Sequence, residues 1–182
     1  VSATVTVVVC NALAEVIKTM PPPPAPSTLS SATEQTLIQL AFGAFRSPAA
    51  STDVHRSLFE ALARASLLGW SAVLYSLSAI HFEAVTSDLF ARIKATDSSD
   101  EVIRLLVGTR RLAVPSGHYI SKAVPYFQQL RSLIADTKKG PFSAPAVRQG
   151  LMWSLELAAR QVAGFTDAAL LGVWVELFSD ID

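Results

Sequence analysis

Between Arg64 and Glu83 the chain carries no residue that is formally charged at neutral pH, yet the run holds Leu67, Leu68, Trp70, Val73, Leu74, Leu77 and Ile80. It lies inside a longer stretch, Val54 to Ile93, whose apolar residues fall on almost every helical face. A helix on a protein surface needs one apolar stripe only, so a stretch greasy all round has to be covered on several sides. The pattern predicts a helical hairpin broken near Gly69, with His81 either continuing its second helix or beginning another, and with the rest of the chain as its cover.

A bilayer is one possible cover. The run approaches spanning length, but it contains Gly69 and four serines, ends at His81, and lacks the dense Leu/Ile/Val composition that insertion favours. The expectation is a buried core helix and no membrane span. The opening Val1 to Ala14 has no basic residue ahead of its apolar part and does not read as a signal peptide.

Flanking segments supply candidate covering helices. From about Val5 to Met20 the spacing places Val9, Leu13, Val16 and Ile17 on one side, although Val1 to Val9 is β-branched enough to begin extended. Pro21 to Pro24 and Pro26 stop that helix, and residues 21–30 read as a stiff, proline-rich linker. Ser31-Ala-Thr-Glu34 has capping-box spacing and opens a helix that ends by Ser47-Pro48, and Thr52 or Asp53 caps the next.

Further along, Ser98-Ser-Asp-Glu101 is a second capping box, and Gly108 with Arg110 and Arg111 suits a helix C-terminus. A helix from about Ser121 to Ala135 has Pro125 either in its first turn or marking its true start. Ser143 is placed to cap a long helix ended by Gly164, and a last helix runs from Thr166 to about Phe178. The sum is an all-α chain of about eight or nine helices, a HEAT/armadillo-like stack of hairpins forming one unit over residues 1–182.

Composition narrows the function. Apolar residues make up 51% of the chain and charged ones only 16%, low for a self-contained domain. The expectation is a segment of a longer solenoid. Fifteen basic residues balance fifteen acidic ones, which removes the footprint of a nucleic-acid binder. Cys10 is the only cysteine, so no internal disulfide or thiolate zinc site can form, and its apolar surroundings suit a buried thiol.

No nucleophile motif, phosphate loop or dinucleotide turn is present, and His55, His81 and His118 lie in separate segments without metal-ligand spacing. No catalytic residue, metal site or cofactor is therefore assigned. Trp70, Trp153 and Trp174 fall within apolar helical faces and read as core anchors, with an interface role open to one of them. Arg110, Arg111, Arg131, Lys138, Lys139 and Arg148 make the later half locally basic. They are either a solvated rim of helix ends or a shallow patch for an acidic segment of a partner.

Several segments, in order along nearly the whole chain, resemble the N-terminal cell-morphogenesis region of the Furry family. They are Val9-Cys-Asn-Ala-Leu-Ala-Glu-Val-Ile-Lys-Thr-Met-Pro21, Leu40-Ala-Phe-Gly-Ala-Phe45, Val54-His55, His81-Phe-Glu-Ala-Val85 with Phe90, Leu105-Leu-Val-Gly108 and Gly150-Leu-Met-Trp-Ser-Leu-Glu156. The chain departs from the family pattern at Pro21 to Pro26, which is expanded, and around Val114 to Tyr119, where the family often has a longer loop. The resemblance implies a cytoplasmic, non-enzymatic scaffold, enriched at the cell cortex or sites of polarised growth. It also implies an NDR-family kinase and its Mob co-activator as partners, and adjoining helical repeats on either side. Two other readings stand beside it: a solenoid adaptor for transport or vesicle cargo, and a small helical lipid-binding protein.

Overall fold

The computed structural model describes residues 3–21, 29–45, 56–136, 140–164 and 168–179, without side-chain detail at 3–4, 56–63 and 177–179. Its elements are α1 (Ala3–Lys18), α2 (Ser31–Gly43), α3 (Arg56–Ala95), α4 (Ser99–Thr109), α5 (Val124–Ala135), α6 (Pro145–Val162) and α7 (Ala168–Ser179). Short 3-10 helices, Gly117–Ala123 and Gly140–Ser143, precede α5 and α6. The chain is all-α, with no strand among the described residues.

Among the described residues there are seven α-helices rather than eight or nine, because the expected central pair is run together in α3. Its break lies at His81 (φ −126°, ψ 53°), twelve residues beyond Gly69. Gly69 itself is helical and buried. A β-carbon there would stand 3.0 Å from the Cys10 β-carbon, so the glycine serves the close crossing of α1 over α3. The helix end expected at Gly108, Arg110 and Arg111 is found there, α4 closing at Thr109 with Arg110 as its C-cap, and Gly108 is buried in the last turn against the Phe45 ring.

That close crossing decides which face of α1 is turned inward. Small residues, Cys10 and Ala14, together with Ile17, are buried against α3, whereas Val9 and Val16 point out, against expectation. The opening of α1 is helical from Ala3 onward, not extended. Apolar β-branched residues can adopt either state, and packing on α3 selects the helix.

The serines of α3 explain how an uncharged helix tolerates hydroxyls inside a core. Ser71 donates to the Leu67 carbonyl at 2.7 Å, Ser76 to Ala72 at 3.1 Å and Ser78 to Tyr75 at 2.8 Å, and Thr86 donates to Phe82 at 2.9 Å. Each hydroxyl is satisfied by its own helix. By length and composition the stretch Arg64–Ala95 is apolar enough to cross a bilayer, and 39% of its most apolar window is buried against the rest of the chain.

Around this axis α1, α2 and α4 pack on α3, while α5 joins α3, α6 and α7, and α4 also meets α6. Among the described residues the buried apolar side chains belong to one cluster, running from Cys10 on α1 to Val173 on α7. Aromatic rings mark its centre: Tyr126 lies 5.4 Å from Phe82, 5.6 Å from Phe90 and 5.8 Å from Phe127, and Trp174 lies 5.1 Å from Phe127.

Helix starts differ in detail from expectation. Ser30, one residue earlier than expected, is the N-cap of α2, with its Oγ accepting from the Thr33 amide at 3.2 Å. Ser98 caps α4 as expected, accepting from Glu101 at 3.4 Å, but the Glu101 carboxylate turns to the Thr96 hydroxyl at 2.7 Å. Ser143 does not cap α6; its hydroxyl closes the preceding turn on the Gly140 carbonyl at 2.8 Å, and Ala144 holds the cap position. Pro125 marks the true start of α5, which begins at Val124 rather than Ser121, the residues before it being 3-10. The expected caps at Thr52 or Asp53, the Ser47-Pro48 stop and most of the 21–30 linker lie outside the described residues.

Candidate functional site

Several concave regions flank α3; one, of about 340 Å³, lies between residues 83–94 and the stretch from Lys122 to Gln129. Another, of about 480 Å³, opens where the helix breaks, between residues 78–84 and the chain from Ala113 to Lys122. Its walls are held by side chains bonded to backbone. Ser78 Oγ accepts from the Ala113 amide at 2.8 Å. Gln161 clamps the extended segment, accepting from the Val114 amide at 3.0 Å and donating to the Leu112 carbonyl at 2.9 Å.

His81 stands at this cleft with Nδ1 3.4 Å from the Glu34 carboxylate of α2, both side chains mostly buried. A histidine oriented by a carboxylate is half of a hydrolytic constellation. The hydroxyl on the same wall, Ser78, is already committed to the Tyr75 carbonyl and the Ala113 amide. The pair thus ties α2 to the break in α3. Glu34 was expected to complete a capping box and instead makes this tertiary contact. Among the described residues no group of three or more His, Cys, Asp or Glu could hold a metal ion.

A further region lies over the C-terminal end of α4 and consists of two hollows that share Val107 and Arg110. One, about 300 Å³, is floored by Leu67, Leu68, Ala72 and Tyr75 of α3, with Lys18, Arg110 and Arg111 at its edge. The other, about 260 Å³, lies against α6 beside Trp153 and Leu157. Leu68 is 61% exposed and Trp153 54% exposed, high values for such large apolar groups. Trp153 is accordingly not the core anchor that its helical register suggested, and Trp70 and Trp174 are only partly buried.

The structure divides the expected basic patch. Arg110 and Arg111 adjoin one hollow and are joined there by Lys18, which no sequence proximity indicated. Arg131 reaches across to Glu176 of α7 at 2.6 Å. Arg148 is exposed in the first turns of α6 and lines neither hollow. Lys138 and Lys139 lie outside the described residues, as does His55, while His118 is exposed in the 3-10 helix before α5.

No protein-family model matches the chain, and neither the curated proteins nor the solved structures contain a significant match.

Proposed function

We propose that the chain is a non-enzymatic scaffold segment of HEAT/armadillo-like type, stacked on adjoining helical repeats. In this reading it supports an NDR-family kinase and its Mob co-activator in cell polarity and morphogenesis. The resemblance to the Furry family supplies those partners, and the cytoplasm, at the cortex or sites of polarised growth, is their setting.

One observation carries the stacking reading: α1 and α7 each have apolar residues on the face turned away from the core. On α1 these are Val5, Val8, Val9 and Val16, with Val8 62% exposed; on α7 they are Leu171 and Val175. A repeat in a solenoid cannot bury its hydrophobic face alone and uses its neighbour to do so. Two-faced helices are what such stacking requires.

The test is a pull-down of purified NDR kinase with Mob on a longer protein containing this segment. Retention that is reduced by Val8→Glu or Val175→Glu, with the segment still folded, supports the reading. No retention of kinase or co-activator on the longer protein defeats it.

A further inference from the structure

We propose that the trough over the end of α4 seats an acidic amphipathic helix of a partner protein, an inference that rests on the protein-interaction reading and names the occupant. The argument begins with the floor. Leu67, Leu68 and Tyr75 of α3 and Trp153 of α6 present large apolar surface in two hollows joined at Val107. Recessed apolar surface between helices is the groove that an amphipathic helix fills with side chains spaced at three and four residues.

Charge then selects the sign of the occupant. Arg110 and Arg111 stand at the mouth, and neither has an ion-pair or hydrogen-bond partner among the described residues. One carboxylate, Glu156, lines the hollow beside Trp153, where it pairs with Arg160 at 2.5 Å, and Lys18 at the other edge pairs with Glu15 at 2.5 Å. Two free guanidiniums therefore dominate the rim, more than the end of α4 needs to offset its dipole. Guanidiniums favour carboxylates, which they bind through two parallel hydrogen bonds.

An anionic membrane shares the charge requirement but not the shape. A bilayer is engaged by one continuous apolar face, whereas the apolar groups here are divided between two hollows, one against α3 and one against α6, with Arg110 shared by both.

The experiment measures fluorescence anisotropy of the whole 182-residue chain with a labelled amphipathic peptide, Leu and Phe on one face and Glu on its flanks. A second peptide carries Lys in place of Glu, and vesicles of mixed neutral and anionic phospholipid form a third arm. The Glu peptide binds, more weakly as salt rises, and the Lys peptide does not. Arg110→Glu with Arg111→Glu weakens binding about tenfold or more, from lost rim attraction and added repulsion. Trp153→Ala weakens it about tenfold through the lost apolar anchor. Arg148→Glu, remote from both hollows, changes it less than about twofold.

All substituted residues are exposed, so unchanged circular dichroism and melting accompany these effects. Equal affinity for both peptides, or indifference to Arg110, Arg111 and Trp153, overturns the proposal. So does vesicle binding with the same residue dependence and no peptide binding, which reassigns the trough to a membrane. Kinase retained without peptide binding removes this inference alone; peptide binding without kinase retention removes only the proposed partners.

Discussion

Cys10 of α1 and Gly69 of α3 meet so closely that a β-carbon on the glycine would lie 3.0 Å from the cysteine β-carbon and 3.6 Å from the Val7 α-carbon. These neighbours belong to the α1 backbone or sit one bond from it, so they cannot swing aside. Gly69→Ala therefore forces the two helices apart and loses stability by about 1–3 kcal/mol, outweighing the gain in helix propensity. Gly172→Ala in α7 is the control, since nothing lies within 4 Å of its would-be β-carbon. That variant gains up to about 1 kcal/mol. Urea denaturation midpoints of the pair should move in opposite directions, and a stabilised Gly69→Ala would refute the close crossing.

Stability should decline in alkali, and two buried groups give the reason. Burial pushes the Cys10 thiol above its usual range and raises the Tyr126 phenol likewise. Both are neutral in the fold, so their contribution is complete below the unfolded-state values, about 8.5 for cysteine and about 10 for tyrosine. As pH rises past those values the unfolded chain releases protons that the folded chain retains, and unfolding is favoured. The measurement is the denaturation midpoint from pH 7 upward. Tyr126→Phe should flatten the upper part of the fall and Cys10→Ala the lower; identical slopes in all three proteins would contradict the burial.

The clamp made by Gln161 gives a third expectation. Its amide satisfies both the Val114 N–H and the Leu112 carbonyl on an extended segment that has no strand partner. Gln161→Leu keeps the apolar stem but strands both backbone groups, at a cost of about 1–3 kcal/mol. Amide hydrogen exchange at Val114 should speed up more than at Leu130 in the core of α5. Unaltered protection at Val114 would show that the clamp is dispensable.

How much of this was legible beforehand depended on the kind of signal. The helices were readable because their spacing, serine caps and prolines are local, and Ser98 and Pro125 act as their neighbours in sequence imply. Glycine was misleading because the same letter serves two purposes. Gly69 reads as punctuation but permits contact with Cys10, whereas Gly108 does stand at a helix end and also admits the Phe45 ring. The break at His81 has no glycine or proline to announce it. Its carboxylate partner, Glu34, comes from a different helix.

The basic patch shows the same limit. Arg110 and Arg111 stayed together because they adjoin in sequence, whereas Arg131 was drawn off by Glu176, 45 residues away. Lys18 joined them only through the packing of α1 on α3. Trp153 fell in helical register with buried neighbours, Leu151, Ser154 and Leu155, but register does not say which face a neighbouring helix will cover.

Arg92 should prove irreplaceable by lysine. Its Nε donates to Asp88 at 2.6 Å, its Nη2 donates to Gln39 of α2, and its guanidinium lies 5.1 Å from the centre of the Phe42 ring. Gln39 closes the circuit by donating to Asp88 at 3.1 Å. The group thus fastens α2 to the second half of α3 by a planar fork that bonds along its edge and stacks on its face. A lysine supplies the charge but neither the fork nor the flat face. Arg92→Ala is expected to cost about 1–3 kcal/mol, combining a partly screened ion pair, two hydrogen bonds and a cation–π contact. Arg92→Lys should recover less than about half of that loss. Because Phe42 is itself buried, a double-mutant cycle between Arg92→Ala and Phe42→Leu separates the stacking contribution, about 0.5–1 kcal/mol, from the rest. Full recovery by lysine, or a coupling of zero with Phe42, would mean that the contact between α2 and α3 depends on charge alone.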